Sequence, residues 1–387
     1  MLTGGRAPAT LELARLFHAA GHRVLMAESL AWHLSRPSRA VAASYRVPAP
    51  RTEPAVFIRA LAEIVRRECV DLLLPTCEEI YTVAAGRDEL AAAGAGLVLA
   101  EPLEKLRGLH DKWLFAQRAR GLGLCVPDTR CLESADDLRA ALAEGDELVL
   151  KPAYSRFAAR TLLPPHRAAA LARLRPSPRE RWVAQTYLRG RQVCTYSVAH
   201  HGRLAAHATY PVEWTAGQGS AVSLRAIEHA AARTWVERFV AAESFTGQIA
   251  FDFVETGPGR VAALECNPRA TSGVHLLAGE PGFAAAFFGP GPRVVTPGAA
   301  RPAMLAAGML LYSLPAVRSW AALRGWAATF AHSRDVVFSP RDPLPALLQL
   351  FSLAPFAAIS LRHGLSLLQA STYDIEWNGE RLGDGQP

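Results

Sequence analysis

The chain has 387 residues, 50% of them hydrophobic and 20% charged, with a net charge of +7 at pH 7 and an isoelectric point near 9.3. This balance excludes a disordered chain and leaves length for two or three domains. The basic residues are scattered and form no block of like charge, so the positive excess does not indicate a nucleic-acid partner.

Residues 1–105 alternate strand and helix patterns. Thr3-Gly4-Gly5 reads as a turn opening a helix at Pro8, with Leu13, Leu16, Phe17 and Ala20 on one face and Gly21 as its stop. Strands are expected at 23–27, 70–74 and 97–100, with a helix over 54–68 that buries Phe57, Leu61, Ile64 and Val65. Such alternation implies a doubly wound parallel sheet. Gly4-Gly5 followed by Glu28 is not a dinucleotide fingerprint, because GGRAPA lacks the GxGxxG spacing. The first strand is nearly missing, so the expected start lies further upstream.

Next, His110-Asp111-Lys112 opens a helix to about Arg120, and 121–129 is expected to be a strand. A helix over 134–143 leads into a strand at 147–152 that ends on Lys151. Among 42 Lys and Arg residues only Lys105, Lys112 and Lys151 are lysine. Lys112 and Lys151 lie at the ends of regular elements, where a compact ammonium can reach a cleft and meet phosphate oxygens. Lys105 reads as a surface residue. Residues 182–188 are strand-like, 191–200 and 203–211 form a hairpin about His201-Gly202, and 215–222 is a small-residue loop. A helix over 224–240 is expected to bury Ile227, Ala231, Trp235 and Phe239.

The densest chemistry lies at 248–277. Two extended runs, QIAFDFVE and VAALECN, flank the turn Thr256-Gly257-Pro258-Gly259. Residues two apart share a strand face, so Glu265 and Asn267 point the same way, Arg269 follows just past the strand end, and Asp252 falls opposite Glu265. Two hard carboxylates and an amide oxygen suit Mg²⁺, with Arg269 available for a phosphate or an acyl oxyanion. A hairpin with a merely solvated polar face fits the spacing equally well.

Beyond about residue 289 a Pro/Gly connector leads into a Leu-, Ala- and aromatic-rich tail without a chemical constellation. It reads as a cap on the preceding domain or a dimer surface. Its most apolar run, 344–361, is interrupted by Gln349, Ser352 and Pro355 and is read as a buried or interface helix pair and not a span; peripheral membrane association through it stays open. The six cysteines show no CxxC or zinc spacing, and no signal segment is evident, which points to a reduced, cytoplasmic setting.

ExNPRxxSG, preceded by a strand with FDF and a turn, resembles the metal-binding hairpin of the ATP-grasp superfamily, in the branch similar to the ATP-grasp domains of carbamoyl phosphate synthase. The resemblance covers about residues 1–290. It implies an α/β chain with a pre-ATP-grasp domain at 1–105, a two-lobed α+β ATP-grasp domain at 106–290 and a mostly helical extension at 291–387. It further implies ATP with Mg²⁺, two ions, held by Asp252, Glu265 and Asn267, with Lys112 and Lys151 on the phosphates. Relatives carry a glycine-rich flap after the second lysine; here Ser155 and Arg156 stand in a flap without glycine. Gln185, Tyr187 and Leu188 match the adenine hinge, and Gln192 stands where a ribose-holding glutamate is common. Gly219 and Ser220 match a loop near the acceptor, though an ordinary solvent loop fits equally. His275 is either an acceptor-orienting group or a packed loop histidine.

The implied activity is a ligase that activates a small carboxylate as an acylphosphate for attack by an amine, a thiol or another nucleophile, with Arg269 on the oxyanion. Small-molecule partners and a homodimer are expected, without nucleic acid. The alternative is a non-catalytic or regulatory ATP-binding protein of the same fold, suggested by Gln192 and the glycine-free flap.

Overall fold

The computed structural model describes residues 1–145, 147–156, 160–217, 219–298, 301–380 and 382; the side chain of Ser220 also lies outside the described set. Short apolar runs at the start of the chain become β1 (Leu2–Thr3), β2 (Leu25–Glu28), β3 (Ala43–Arg46), β4 (Leu72–Leu73) and β5 (Leu97–Val98). β1 pairs with β2, β2 with β3 and β4 with β5, all parallel. A parallel bridge from Leu2 to Leu74 joins the two groups. The resulting order is β3-β2-β1-β4-β5.

Between these strands lie α1 (Pro8–Ala19), α2 (Pro54–Glu68), α3 (Ile80–Ala85) and α4 (Arg87–Ala92). Leu11, Leu13 and Phe17 of α1 join one apolar cluster; Phe57, Leu61 and Val65 of α2, with Tyr81 and Leu90, join another. Helices thus cover both faces, as a parallel sheet requires. The α2 bounds match the periodic pattern. β3 was not anticipated, because Ala-Ser-Tyr-Arg is a half-exposed edge strand too short to set a period.

α5 (Leu103–His110) and α6 (Lys112–Gly121) follow, then β6 (Thr129–Leu132), α7 (Ala135–Ala143), β7 (Leu148–Pro152), α8 (Ala168–Leu171) and β8 (Trp182–Thr186). β8 lies between β6 and β7, antiparallel to both. The strand expected over 121–129 is displaced: Gly123 adopts φ +66° and Pro127 follows, so extended structure starts only at Thr129.

A four-stranded antiparallel sheet, β10-β9-β14-β15, holds the centre of the chain. β9 (Arg191–His200) and β10 (Arg203–Pro211) turn at His201 and Gly202, whose φ values of 47° and 79° suit a tight hairpin. β11 (Thr215–Ala216) and β12 (Ser220–Ala221) form a small hairpin, and β13 (Ser223–Leu224) follows. α9 (Ala230–Ala242) starts later than expected, since Ser223 and Leu224 pair with Met304 and Ala303 and His229 caps the helix. Ile227 accordingly sits on a loop and not on the helix face.

β14 (Gly247–Gly257) and β15 (Arg260–Asn267) complete the sheet. On one face Phe251 and Phe253 meet Trp235 at ring separations of 5.1 and 5.2 Å, with Phe115 and Phe239 beside them. Tyr196, Tyr210, Val274 and Leu277 belong to a second cluster.

The tail forms β16 (Ala303–Met304), α10 (Ala306–Gly308), α11 (Trp320–His332), β17 (Arg334–Asp335), α12 (Leu344–Leu347), α13 (Gln349–His363) and α14 (Leu367–Ala370). The 344–361 run forms the expected helix pair but is not buried. Only Ser352 and Phe356 of α13 are buried, while Leu350 is 78% exposed and Leu361 87%. Among the described residues no helix is long and apolar enough to cross a membrane.

Candidate active site

The hairpin sets Asp252 directly opposite Glu265, in one row with Cys194 of β9 and Tyr210 of β10. A register shift after Asp252 leaves Leu264 outside the ladder. Its carbonyl accepts from Lys151 Nζ at 3.4 Å and from Gln185 Nε2 at 3.5 Å. The bulge therefore gives β7 and β8 a shared anchor beside the carboxylates.

Lys112 approaches from the start of α6. Asp111 caps that helix, accepting from the backbone N–H of Trp113 and Leu114 at 2.9 and 3.1 Å, and pairs with Arg181. Lys112 Nζ sits 3.2 Å from Glu265 Oε2 and donates to the Ser155 carbonyl at 3.1 Å. Lys112 and Lys151 are 3% and 6% exposed, so neither ammonium trails into solvent. Lys105 instead pairs with Glu101 at 2.7 Å, away from this face.

Charge crowding is visible in the titration of these groups. Burial, and next the neighbouring Glu265, push Asp252 well above the usual carboxylate range. Burial would also raise Glu265, but Lys112 and Lys151 outweigh it and hold that group low. Burial brings Lys151 down to about 8 despite Glu265. Asn267 continues the strand, and its Oδ1 accepts from Arg269 Nη2 at 3.3 Å. Among the described residues no three His, Cys, Asp or Glu side chains are placed to hold a metal ion together, and the oxygen donors on this face are the carboxylates of Asp252 and Glu265 with the amide of Asn267 two positions on.

Arg269 turns toward Glu78, which lies just beyond β4. Its Nε meets Glu78 Oε1 at 2.7 Å and its Nη1 donates to the Ala270 carbonyl at 3.1 Å. Three of the five guanidinium N–H donors are thus engaged, with Asn267 taking the third. Arg156 Nε lies 2.6 Å from Glu78 Oε2. Burial would raise Glu78, but Arg156 and Arg269 outweigh it and keep the carboxylate ionised. Phe157, from the same flap, lies outside the described residues.

The remaining expected site residues are more dispersed. Gln185 is buried and donates to Thr129 Oγ1 at 3.1 Å. The backbone N–H of Tyr187 is taken by the Glu147 carbonyl at 2.7 Å, and Leu188 follows the end of β8. Gln192 is exposed at the start of β9. Gly219 is exposed at the tip of the β11–β12 hairpin, and the Ser220 side chain lies outside the described residues. His275 is buried, with Nδ1 2.7 Å from Glu12 Oε2, and its carbonyl accepts from Arg334 at 2.7 Å.

No family model matches the chain, and no curated protein sequence matches it. Solved structures do. The L-amino acid ligase from Bacillus licheniformis is 12% identical over 74% of this chain and 71% of its own, at a TM-score of 0.57. N5-carboxyaminoimidazole synthetase from Staphylococcus aureus is 12% identical over 78% and 79%, at 0.60. A biotin carboxylase–β,γ-ATP complex from Campylobacter jejuni is 15% identical over 74% and 69%, at 0.57. The chain has the ATP-grasp fold.

Within this ATP-grasp fold, several groups near the carboxylates escaped the sequence reading. Glu78 had one signal, an acidic pair placed directly after a buried parallel strand, where α/β sheets bind ligands. Cys194 and Tyr210 are visible only once β9 and β10 are in register. The tail was read only as a cap or a dimer surface, without the residues through which it does so. Arg156 donates to Glu376 and Asn378, each at 3.1 Å, and to the Trp377 carbonyl. Arg51 pairs with Glu376, and Arg6 with Glu28 and Asp374, each at 2.5 Å. Trp377 stacks on Tyr81 at 5.0 Å, and Tyr81 on His110 at 4.8 Å.

Proposed function

We propose that the chain is an ATP-dependent ligase that activates a small carboxylate as an acylphosphate for attack by an amine or another nucleophile. The observation that carries this reading is the facing pair Asp252 and Glu265, met by two buried ammonium groups in a chain otherwise almost without lysine. The similar structures include a ligase and an ATP complex, which support it. The reading divides the chain at about 105 and 290, with the last part completing the cleft wall through residues 374–378.

The donor set fits Mg²⁺. Burial, and next the facing Glu265, push Asp252 up, a cost that a divalent cation would offset. Asp252, Glu265 and Asn267 would hold the ion, which would supply neutralisation of the charge that develops during phosphoryl transfer.

Lys151 and Lys112 hold the phosphate oxygens as point charges, while Ser155 and Arg156 border them. Gln185, Tyr187 and Leu188 seat the adenine, and Gln192 the ribose. The substrate carboxylate attacks the γ-phosphorus, ADP leaves, and the amine then displaces phosphate from the acyl carbon. Arg269, oriented by Glu78, offers its two remaining donors to the tetrahedral oxyanion. Gly219 and Ser220 border the acceptor. No protein nucleophile is needed, because ATP does the activating.

One observation favours the second reading, a regulatory ATP-binding protein: Arg156 is held by the tail in addition to Glu78. ADP and phosphate release across a panel of carboxylates and amines separates the two. Turnover with any pair excludes the second reading, and a purified chain that binds no Mg-ATP sinks both.

A further inference from the structure

Sixteen large hydrophobic side chains are exposed among the described residues, and eleven of them fall between Leu310 and Leu367. The concentration has no counterpart elsewhere among the described residues. α13 shows its organisation: Leu350, Ala354, Ala358 and Leu361 are exposed at spacings of three and four, so they share one outward face. Leu347 of α12 extends that stripe, and Phe351 widens it at 65% exposure. An outward apolar stripe with a polar Ser352 turned inward inverts the usual arrangement of a surface helix.

The charge around the stripe chooses its occupant. Residues 301–372 contain six arginines and two acidic residues, Asp335 and Asp342. Both carboxylates are already engaged within the chain. Asp335 accepts from the backbone of Ala306 and Phe338, and Asp342 is buried against Arg15 and Ser38. Arg318, Arg324, Arg341 and Arg362 are exposed without a carboxylate partner among the described residues. Arg341 and Arg362 flank the stripe at its two ends. A second copy presenting the same face would bring like charges together, whereas a bilayer carrying anionic headgroups offers both an apolar interior and the opposite charge.

We infer that α12 and α13 seat the chain, without spanning, on an anionic lipid surface. The inference stands apart from the proposed ligase activity, since none of these residues touches the carboxylate pair or the lysines.

The test is flotation of the full chain with vesicles of phosphatidylcholine alone and of phosphatidylcholine with phosphatidylglycerol, alongside light scattering without lipid. Binding is expected only with phosphatidylglycerol and weakens in high salt. Leu350→Ser with Phe351→Ser lowers it at least tenfold. Arg341→Gln and Arg362→Gln each lower it about fivefold. All four positions are exposed, so unchanged near-UV circular dichroism and an unchanged unfolding midpoint accompany these losses. No flotation with phosphatidylglycerol, or equal flotation with both vesicles, overturns the inference. A dimer that Leu350→Ser with Phe351→Ser dissolves assigns the face to a second copy and overturns it as well.

Discussion

Two charge clusters meet near the cleft, and each balances carboxylates with cations in a different manner. On the hairpin, Lys112 and Lys151 approach their acceptors at 3.2 and 3.4 Å, and two carboxylates confront each other. Along the wall beside it, Arg6, Arg51 and Arg156 hold Glu28, Glu78, Asp374 and Glu376 at 2.5 to 3.1 Å. Point charges with loose partners can exchange them for phosphate; guanidinium forks with several donors committed at once, as at Arg6 and Arg156, hold the chain together. On the proposed ligase reading, the difference separates groups placed for chemistry from groups placed for architecture.

That division is open to attack by mutation. Arg6→Met leaves Glu28 and Asp374 as buried, uncompensated carboxylates, so it should lower stability by about 3–5 kcal/mol in chemical denaturation. Glu265→Gln should weight the effects the other way, cutting ADP release by roughly 10²–10³ at a smaller cost in stability, because Lys112 and Lys151 lose the carboxylate they hold ionised while the crowding of Asp252 is relieved. If the two variants behaved alike, the contrast would be lost.

Gly273→Ala probes the scaffold beneath the hairpin. An added Cβ would lie 2.4 Å from Tyr196 Cβ and 3.0 Å from Tyr210 Cε1, so a loss of about 1–3 kcal/mol is expected from thermal melts. A pH series sharpens the picture further. Burial brings both His110 and His207 down to about 3, against about 6.5 in an unfolded chain. Between those values the unfolded chain takes up protons that the folded chain refuses, so stability falls as pH drops below about 6.5. His207→Gln should remove one proton's share of that slope, about 1.4 kcal/mol per pH unit, and leave the His110 share. Lys105→Ala, at the third lysine, should change stability by no more than about 1 kcal/mol and turnover not at all.

The hairpin was legible because its partners are sequence neighbours: the alternation of Glu265 and Asn267 and the turn at 256–259 fix which side chains share a face. Helix 54–68 was legible from its period. The cleft wall was not, since Arg6 finds Asp374 across 368 positions and Arg156 finds Trp377 across 221, and no local pattern encodes such pairs. The delayed start of α9 has the same origin, a strand pairing with a segment eighty residues downstream that overrode helix periodicity. His275, read as either an acceptor-orienting group or a packed loop histidine, is buried against Glu12 through a partner 263 positions away that no local pattern encodes. The glycine of TSG likewise reads as loop chemistry but answers to the two tyrosines beneath it.

The shortage of lysine also has a practical side. A culture fed lysine enriched with ¹³C at the ε carbon would give a nuclear magnetic resonance spectrum of three side-chain signals, from Lys105, Lys112 and Lys151. Two of them report on the hairpin face and the third serves as an internal reference, so nucleotide titrations could be followed without assigning the rest of the chain.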